Sequence, residues 1–391
     1  MTPSNARNEH GFDMDIVKQN ATPFYYYDME VLATTLTEIK RLTTGHPYTV
    51  HYALKANSNQ LLLNEIANSG LGADLVSGGE LLAALKAGFK PQEMAFSGVG
   101  KTDSEITLAL EHEVGCFNVE SVAELEVIDQ IAGSLGKTAP IAIRVNPDID
   151  AHTHKFITTG TRDNKFGIDI QQLPAVVDLA RRLPNIHLKG LHFHIGSQIT
   201  AMEPYRMLCN TINALQDRFE QGGIRFELIN VGGGLGIDYA HPDEHPLPDL
   251  LAYFGTFKNC LKIRPGQQVH FELGRAIVGG CGSLISRVLY IKEGRNKKFV
   301  ILDAGMTDLI RPALYGARHE IQNLTSTDER IETYDVVGPV CESSDVFASD
   351  YRLPVTRRGD VIAIRSAGAY GESMSSTYNM RPQPRSVVSN R

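Results

Sequence analysis

From about residue 49 onward, short apolar runs alternate with longer segments whose apolar positions recur at steps of three and four. The short runs predict strands and the longer ones amphipathic helices, since a strand turns alternate residues to one face and a helix every third or fourth. Strands are predicted at 49–53, 73–77, 93–97, 116–119, 141–146, 188–194, 226–231 and 268–273. Helical patterns fall between them at 61–68, 80–87, 104–112, 122–135, 173–183, 204–220 and 247–261. Repeated strand-then-helix units over this length predict a (β/α)8 barrel, with an open doubly wound sheet as the alternative.

After Arg275 the pattern changes. Segments 282–291, 298–302, 334–338 and 360–366 are short, strand-like and punctuated by Gly, Pro and Asp, which predicts an all-β second domain. Residues 22–28 are also strand-like and precede the barrel, so they are expected to pair into that β domain. The expected class is α/β plus all-β: a (β/α)8 barrel beside a β-sandwich or β-barrel-like domain. The expected division is a frayed start at 1–13, a β-domain segment at 14–35, the barrel at 36–280 and the β domain at 281–391.

Composition narrows the function classes. The chain has 391 residues, 42% hydrophobic and 21% charged, with a net charge of −7 and no basic stripe, which argues against a nucleic-acid partner. No apolar stretch approaches the ~20 residues of a membrane span, and residues 1–13 lack the apolar centre of a signal peptide. The cysteines Cys116, Cys209, Cys260, Cys281 and Cys341 are scattered, without metal-type spacing. A reduced, cytoplasmic setting is expected.

In a barrel of this kind the chemistry lies at the carboxyl ends of the strands. The first strand closes on Lys55, where an apolar approach suits a desolvated amine able to form a Schiff base; snorkelling or ion pairing is the plainer alternative. The second carries Asp74, followed by Ser77 and Glu80. The sixth runs into His192, His194 and Ser197, and the seventh into Gly232, Gly233 and Gly234. The triple glycine is either a phosphate cradle or a tight turn. The eighth ends in Glu272, Leu273, Gly274 and Arg275. Glu272 could hold a pyridinium nitrogen protonated or pair with Arg275, and Arg275 could clamp a carboxylate. His194 suits stacking on a flat cofactor and His192 core packing; metal ligation by the two would need partners at other strand ends. In the β region Cys341 is either a small buried residue or a proton donor beside Glu342. Arg311, Tyr315 and Tyr370 are by default an exposed charge and turn aromatics.

Several segments, in order, resemble the fold-type III pyridoxal phosphate-dependent decarboxylases, most closely the branch that acts on meso-2,6-diaminopimelate. They are YALKAN at 52–57, ADLVSGGE at 73–80, NKFG at 164–167, GLHFHIGSQ at 190–198, GGG at 232–234, RPALY at 311–315 and CESSD at 341–345. The resemblance spans residues 22 to about 384. It implies that Lys55 carries pyridoxal 5'-phosphate covalently, that His194 stacks on its ring and that Glu272 holds its nitrogen. Asp74 belongs to the same cofactor site, and Ser197, Gly233, Gly234, Gly274, Arg275 and Tyr370 are implied around the phosphate. Arg275, Arg311, Tyr315 and Tyr370 are implied at the substrate, with Glu342 on its distal ammonium. Cys341 is implied as the acid that protonates the carbanion, delivered from a neighbouring subunit, so a homodimer with shared sites is expected. The implied reaction yields L-lysine and carbon dioxide. Rival readings are a decarboxylase of ornithine, arginine or carboxynorspermidine, a non-catalytic homologue, and a metal-dependent barrel hydrolase. Leu273 stands where the family usually has proline. Residues 152–167 form a polar insert at a strand end, which suits a lid.

Overall fold

A computed structural model describes residues 7–8, 10–147, 149 and 165–389. The chain divides into two compact units. One comprises residues 36–236 and 249–276; the other comprises 1–35, 237–248 and 277–391.

The first unit is a closed parallel barrel. Its strands, in chain order, are Tyr48–Ala53, Gly72–Leu75, Met94–Phe96, Cys116–Val119, Ala139–Asn146, Ile186–His192, Leu228–Asn230 and Gln268–Leu273. Each pairs in parallel with its neighbours, and the last returns to the first with Glu272 opposite His51 and Leu273 opposite Tyr52. Leu273, at the position of the family's proline, is thus an ordinary buried rung of the ladder. The near-continuous apolar runs follow from burial on both strand faces, inside the barrel and beneath the helices. Local signals start and stop those helices. Ser77 and Ser121 cap Gly78–Ala87 and Val122–Ser134, Thr102 and Glu105 form a capping box on Asp103–Glu111, and left-handed Gly88 ends its helix. Tyr205, Tyr253, Phe257 and Phe271 pack edge to face beneath the Glu203–Gln221 and Leu250–Cys260 helices.

The sixth strand stops at His192, two residues short of its expected end. Beyond it the Phe193 N–H still reaches the Asn230 carbonyl, and the chain then turns, which places His194 on a loop.

The second unit is built on one mostly antiparallel eight-stranded sheet. The N-terminal strand Phe24–Tyr27 pairs antiparallel with Gly282–Glu293 and in parallel with Arg385–Val388. All four of its aromatic residues are buried, as a strand covered on both faces requires. Strands Ile321–Asn323, Val346–Pro354 and Arg385–Val388 carried no clear sequence signal. Val346–Pro354 is interrupted by Asp350 at a positive φ of 51°, and the other two are short and partly polar. The helix Met29–Thr43, started by the Asp28 side chain accepting the Glu30 N–H, was likewise not anticipated. Among the described residues no helix is long and apolar enough to cross a membrane.

Candidate active site

At the end of the first barrel strand the chain makes a single 3-10 turn, Leu54–Ala56, pinned by the Tyr52 hydroxyl donating to the Asn57 carbonyl at 2.7 Å. Leu54 and Ala56 turn inward and Lys55 is thrown over the barrel mouth. Its amine lies 3.9 Å from Asp74 Oδ2, and its side chain keeps 41% of its surface exposed. The expectation of a desolvated amine therefore needs correction. The turn, which strand periodicity does not reveal, leaves Lys55 open on one side while its Nζ still faces the barrel's carboxyl groups.

Below it lies a dry polar cluster. Asp74 accepts from the Ser97 hydroxyl at 2.7 Å. Glu272, on the eighth strand, accepts from Asn118 Nδ2 at 2.8 Å, Asn230 Nδ2 at 2.7 Å and His192 Nε2 at 2.9 Å. Burial alone would disfavour the Glu272 charge, but His192 and Lys55 outweigh it and hold the carboxyl well below the usual range. Asp74 goes the other way. Burial and the Glu272 charge push it up to about 8, against the opposing pull of Lys55 and Ser97.

One expectation for this cluster is corrected, that of His192 as core packing. The Arg275 Nη2 donates to the Ser197 hydroxyl at 3.1 Å. His192 is not plain core filler: it faces the barrel interior and donates to Glu272. The His194 Nδ1 accepts the Gly233 N–H at 3.2 Å, and among the described residues neither histidine belongs to a converging group of three metal-ligating side chains. Burial, aided by the charge of Lys55, drives the His194 pKa well below its usual value, so the ring is neutral.

The glycine triplet is constrained by space as well as by φ. A Cβ on Gly233 would lie 1.9 Å from the Glu272 carbonyl oxygen, and one on left-handed Gly234 would lie 2.5 Å from the Gly196 carbonyl oxygen. Only glycines let these loops close together beside Ser197 and Arg275. Gly274 follows the eighth strand and packs on Ala53 and Ala56. Glycine-lined backbone next to a hydroxyl and a guanidinium fits a phosphate, and an anionic carboxyl held in a dry cage fits a ring nitrogen that must stay protonated. The barrel unit thus offers the donors that pyridoxal phosphate needs.

The remaining candidates belong to the β unit. Cys341 is exposed, and its backbone N–H donates to Asn379 Oδ1 at 3.0 Å. The Glu342 carboxylate accepts from the Tyr378 hydroxyl at 2.6 Å. Asp345 ties the loop down by accepting the Val340 and Met306 N–H groups at 2.7 and 2.6 Å. Arg311 is buried, correcting the expectation of an exposed charge. It donates to His319 Nε2 at 2.9 Å and stacks over Tyr239, 4.8 Å from the ring centre. His319 donates its Nδ1–H to the Arg365 carbonyl at 2.8 Å, which makes Nε2 the accepting nitrogen. Tyr315 is half-buried on the Arg311–Tyr315 helix, and Tyr370 sits at a positive φ of 57°.

Ser97, Asn118 and Asn230 escaped sequence reading. Each is a lone polar residue in or just past an apolar barrel strand, and that was the signal available. The NKFG segment reaches the described residues from Lys165: Gly167 N–H donates to Glu120, which also pairs with Arg144 at 2.6 Å. Asn164 and most of the expected lid at 152–167 lie outside the described residues. Asp238, His241 and His245 also converge, and hydrogen bonds account for them, since Asp238 accepts from both imidazoles and from the turn N–H groups of Ala240 and His241.

Residues 32–279 match the family model described as the pyridoxal-dependent decarboxylase, pyridoxal binding domain. This protein belongs to that decarboxylase family. A diaminopimelate decarboxylase of Bacteroides thetaiotaomicron is 56% identical over 97% of this chain and 98% of its own. One from Vibrio cholerae is 44% identical over 96% of this chain and 89% of its own. Among solved structures, diaminopimelate decarboxylase from Helicobacter pylori complexed with L-lysine superposes with a TM-score of 0.91 at 42% identity, over 96% of this chain and 94% of that one. Within this decarboxylase family the barrel cluster takes its meaning from the cofactor.

Proposed function

We propose that the protein decarboxylates meso-2,6-diaminopimelate to L-lysine and carbon dioxide, using pyridoxal 5'-phosphate at the mouth of the barrel. The observation that carries this is Glu272: a buried carboxyl that accepts hydrogen bonds from Asn118, Asn230 and His192, at the strand end beside the glycine triplet. The relatives named above act on diaminopimelate, and the Helicobacter protein holds the expected product.

When bound, pyridoxal phosphate supplies an electron sink for the pair left behind as a carboxylate departs. Lys55 provides the amine that tethers it. Glu272 holds a proton at the ring nitrogen, and the neutral His194 ring offers a flat face that does not compete for that proton. Ser197, Gly233, Gly234, Gly274 and Arg275 would hold the phosphate through backbone N–H groups, hydroxyl and guanidinium, with Tyr370 as a further phosphate residue. Arg311 and Tyr315, with Arg275, hold the substrate's distal carboxylate, and Glu342 its distal ammonium. Fixing both distal charges orients the bond to be broken. Cys341 Sγ–H gives its proton to the substrate carbon after carbon dioxide leaves. Its open position suits delivery into a second subunit's site, so the working form is a homodimer, acting in the cytoplasm on a free amino acid.

The test is product formation from meso-diaminopimelate with added pyridoxal phosphate. L-lysine and carbon dioxide in equal amounts are expected. Turnover of ornithine or arginine with none of diaminopimelate would overturn the substrate assignment.

A further inference from the structure

Two buried carboxyl groups share the barrel mouth, and the hydrogen bonds between them run in one direction. The Asn118 amide donates one N–H to Glu272 Oε1 at 2.8 Å and the other to Ser97 Oγ at 2.9 Å. With its oxygen accepting from Asn118, Ser97 sends its own O–H to Asp74 Oδ1 at 2.7 Å. The amide orientation is dictated by its surroundings: turned over, its oxygen would face the Glu272 carboxylate. All four side chains are buried, from 0% exposure at Asn118 to 7% at Glu272. Shielded from water, such a chain carries the charge state of one end to the other.

We propose that the two carboxyl groups hold a single negative charge, with the proton on Asp74 and none on Glu272, so that the carboxyl assigned to the cofactor's ring nitrogen is the anion of the pair; Ser97 and Asn118 are positioning residues that link the two and set how firmly Asp74 keeps its proton. The inference rests on the cofactor site proposed above.

The donor count sets the asymmetry. Glu272 receives Asn118, Asn230 and His192, whereas Asp74 receives Ser97 at short range and Lys55 only at 3.9 Å. Two like charges joined through a dry site cannot both persist, and the better-solvated one wins. The other charged and titratable neighbours agree. Glu80 and Glu272 face Asp74 and disfavour its ionisation, while His192 and Lys55 favour that of Glu272. The imidazoles of His51, His194 and His270 also feel the Glu272 charge, and burial keeps all three low.

The test uses the purified full chain without cofactor, labelled with carbon-13 aspartate and followed by infrared spectroscopy across pH. A protonated aspartate carbonyl band is expected at neutral pH, absent from Asp74→Asn and titrating away near pH 8. Ser97→Thr keeps the hydroxyl and the midpoint. Ser97→Ala removes a hydrogen bond that favours the Asp74 anion and raises the midpoint by about one pH unit, and Asn118→Leu moves it as well. No Asp74 band at pH 7, or the wild-type midpoint in Ser97→Ala, overturns the proposal. If Asn118→Leu does not fold, the Ser97 pair decides alone. Failure of the cofactor assignment is read separately, as no visible absorbance on adding pyridoxal phosphate, and leaves the infrared band unchanged.

Discussion

Replacing His192 by leucine probes the buried anion directly. The side chain is 1% exposed and its Nε2 donates to Glu272 at 2.9 Å, so leucine fills much of the space but withdraws one of three donors and the attraction behind it. Withdrawing a hydrogen-bond donor from a buried carboxylate costs about 3 kcal/mol or more, because the remaining charge stays desolvated. Asn118 and Asn230 still hold one oxygen of Glu272, which places the loss at the low end of that range. For a unit of this size, about 3 kcal/mol lowers the melting temperature by roughly 6–12 °C. His192→Gln can present an amide N–H to the same oxygen and recovers about half of the loss. Thermal melts of the three proteins at pH 7 give the comparison, and pyridoxal phosphate titrations read the same change as weaker binding. If His192→Leu melts within a degree of wild type, Glu272 is not an anion that depends on His192, and the electrostatic argument for the site fails.

Three further outcomes follow from the same geometry. Gly233→Ala would put a Cβ 1.9 Å from the Glu272 carbonyl oxygen, so the strand end must move; loss of cofactor absorbance is expected together with destabilisation of about 3 kcal/mol, whereas Gly100→Ala, with nothing within 4 Å, is neutral in the same melts. Gly255, inside the Leu250–Cys260 helix, likewise has open space within 4 Å of where an added methyl would sit, and Gly255→Ala raises stability by about 0.5–1 kcal/mol in urea titrations. Burial lowers the His51 pKa from 6.5 to about 4. The unfolded chain therefore takes up a proton that the folded chain refuses, and stability present above pH 6.5 is lost as pH falls toward 4. His51→Leu reduces that acid loss by about 3 kcal/mol in melts across this range.

Much of the barrel was legible because its strands are buried on both faces and its helices carry strong caps, so periodicity and punctuation agree. The boundary at His192 was not, since a strand end is set by pairing: the Phe193 N–H reaches Asn230 and the chain then leaves the ladder. That shift decides which histidine supports Glu272 and which lies on the loop beside Gly233. Lys55, Glu272 and the glycine triplet were visible as chemistry at strand ends. Ser97, Asn118 and Asn230 were not, because a lone polar residue in an apolar strand acquires meaning only when the closed barrel brings residues 97, 118, 230 and 272 together. In the second unit, Val346–Pro354 was hidden by its charged, interrupted pattern. The burial of Arg311 was hidden because its partners, Tyr239 and His319, are set by the fold and carry no local signature.

The most direct test of the account is to treat the pyridoxal phosphate-loaded chain with borohydride, digest it and locate the pyridoxyl group by mass spectrometry. The account requires the group on the peptide containing Lys55, with Lys55→Ala unlabelled. Labelling at another lysine, or undiminished labelling of Lys55→Ala, contradicts it.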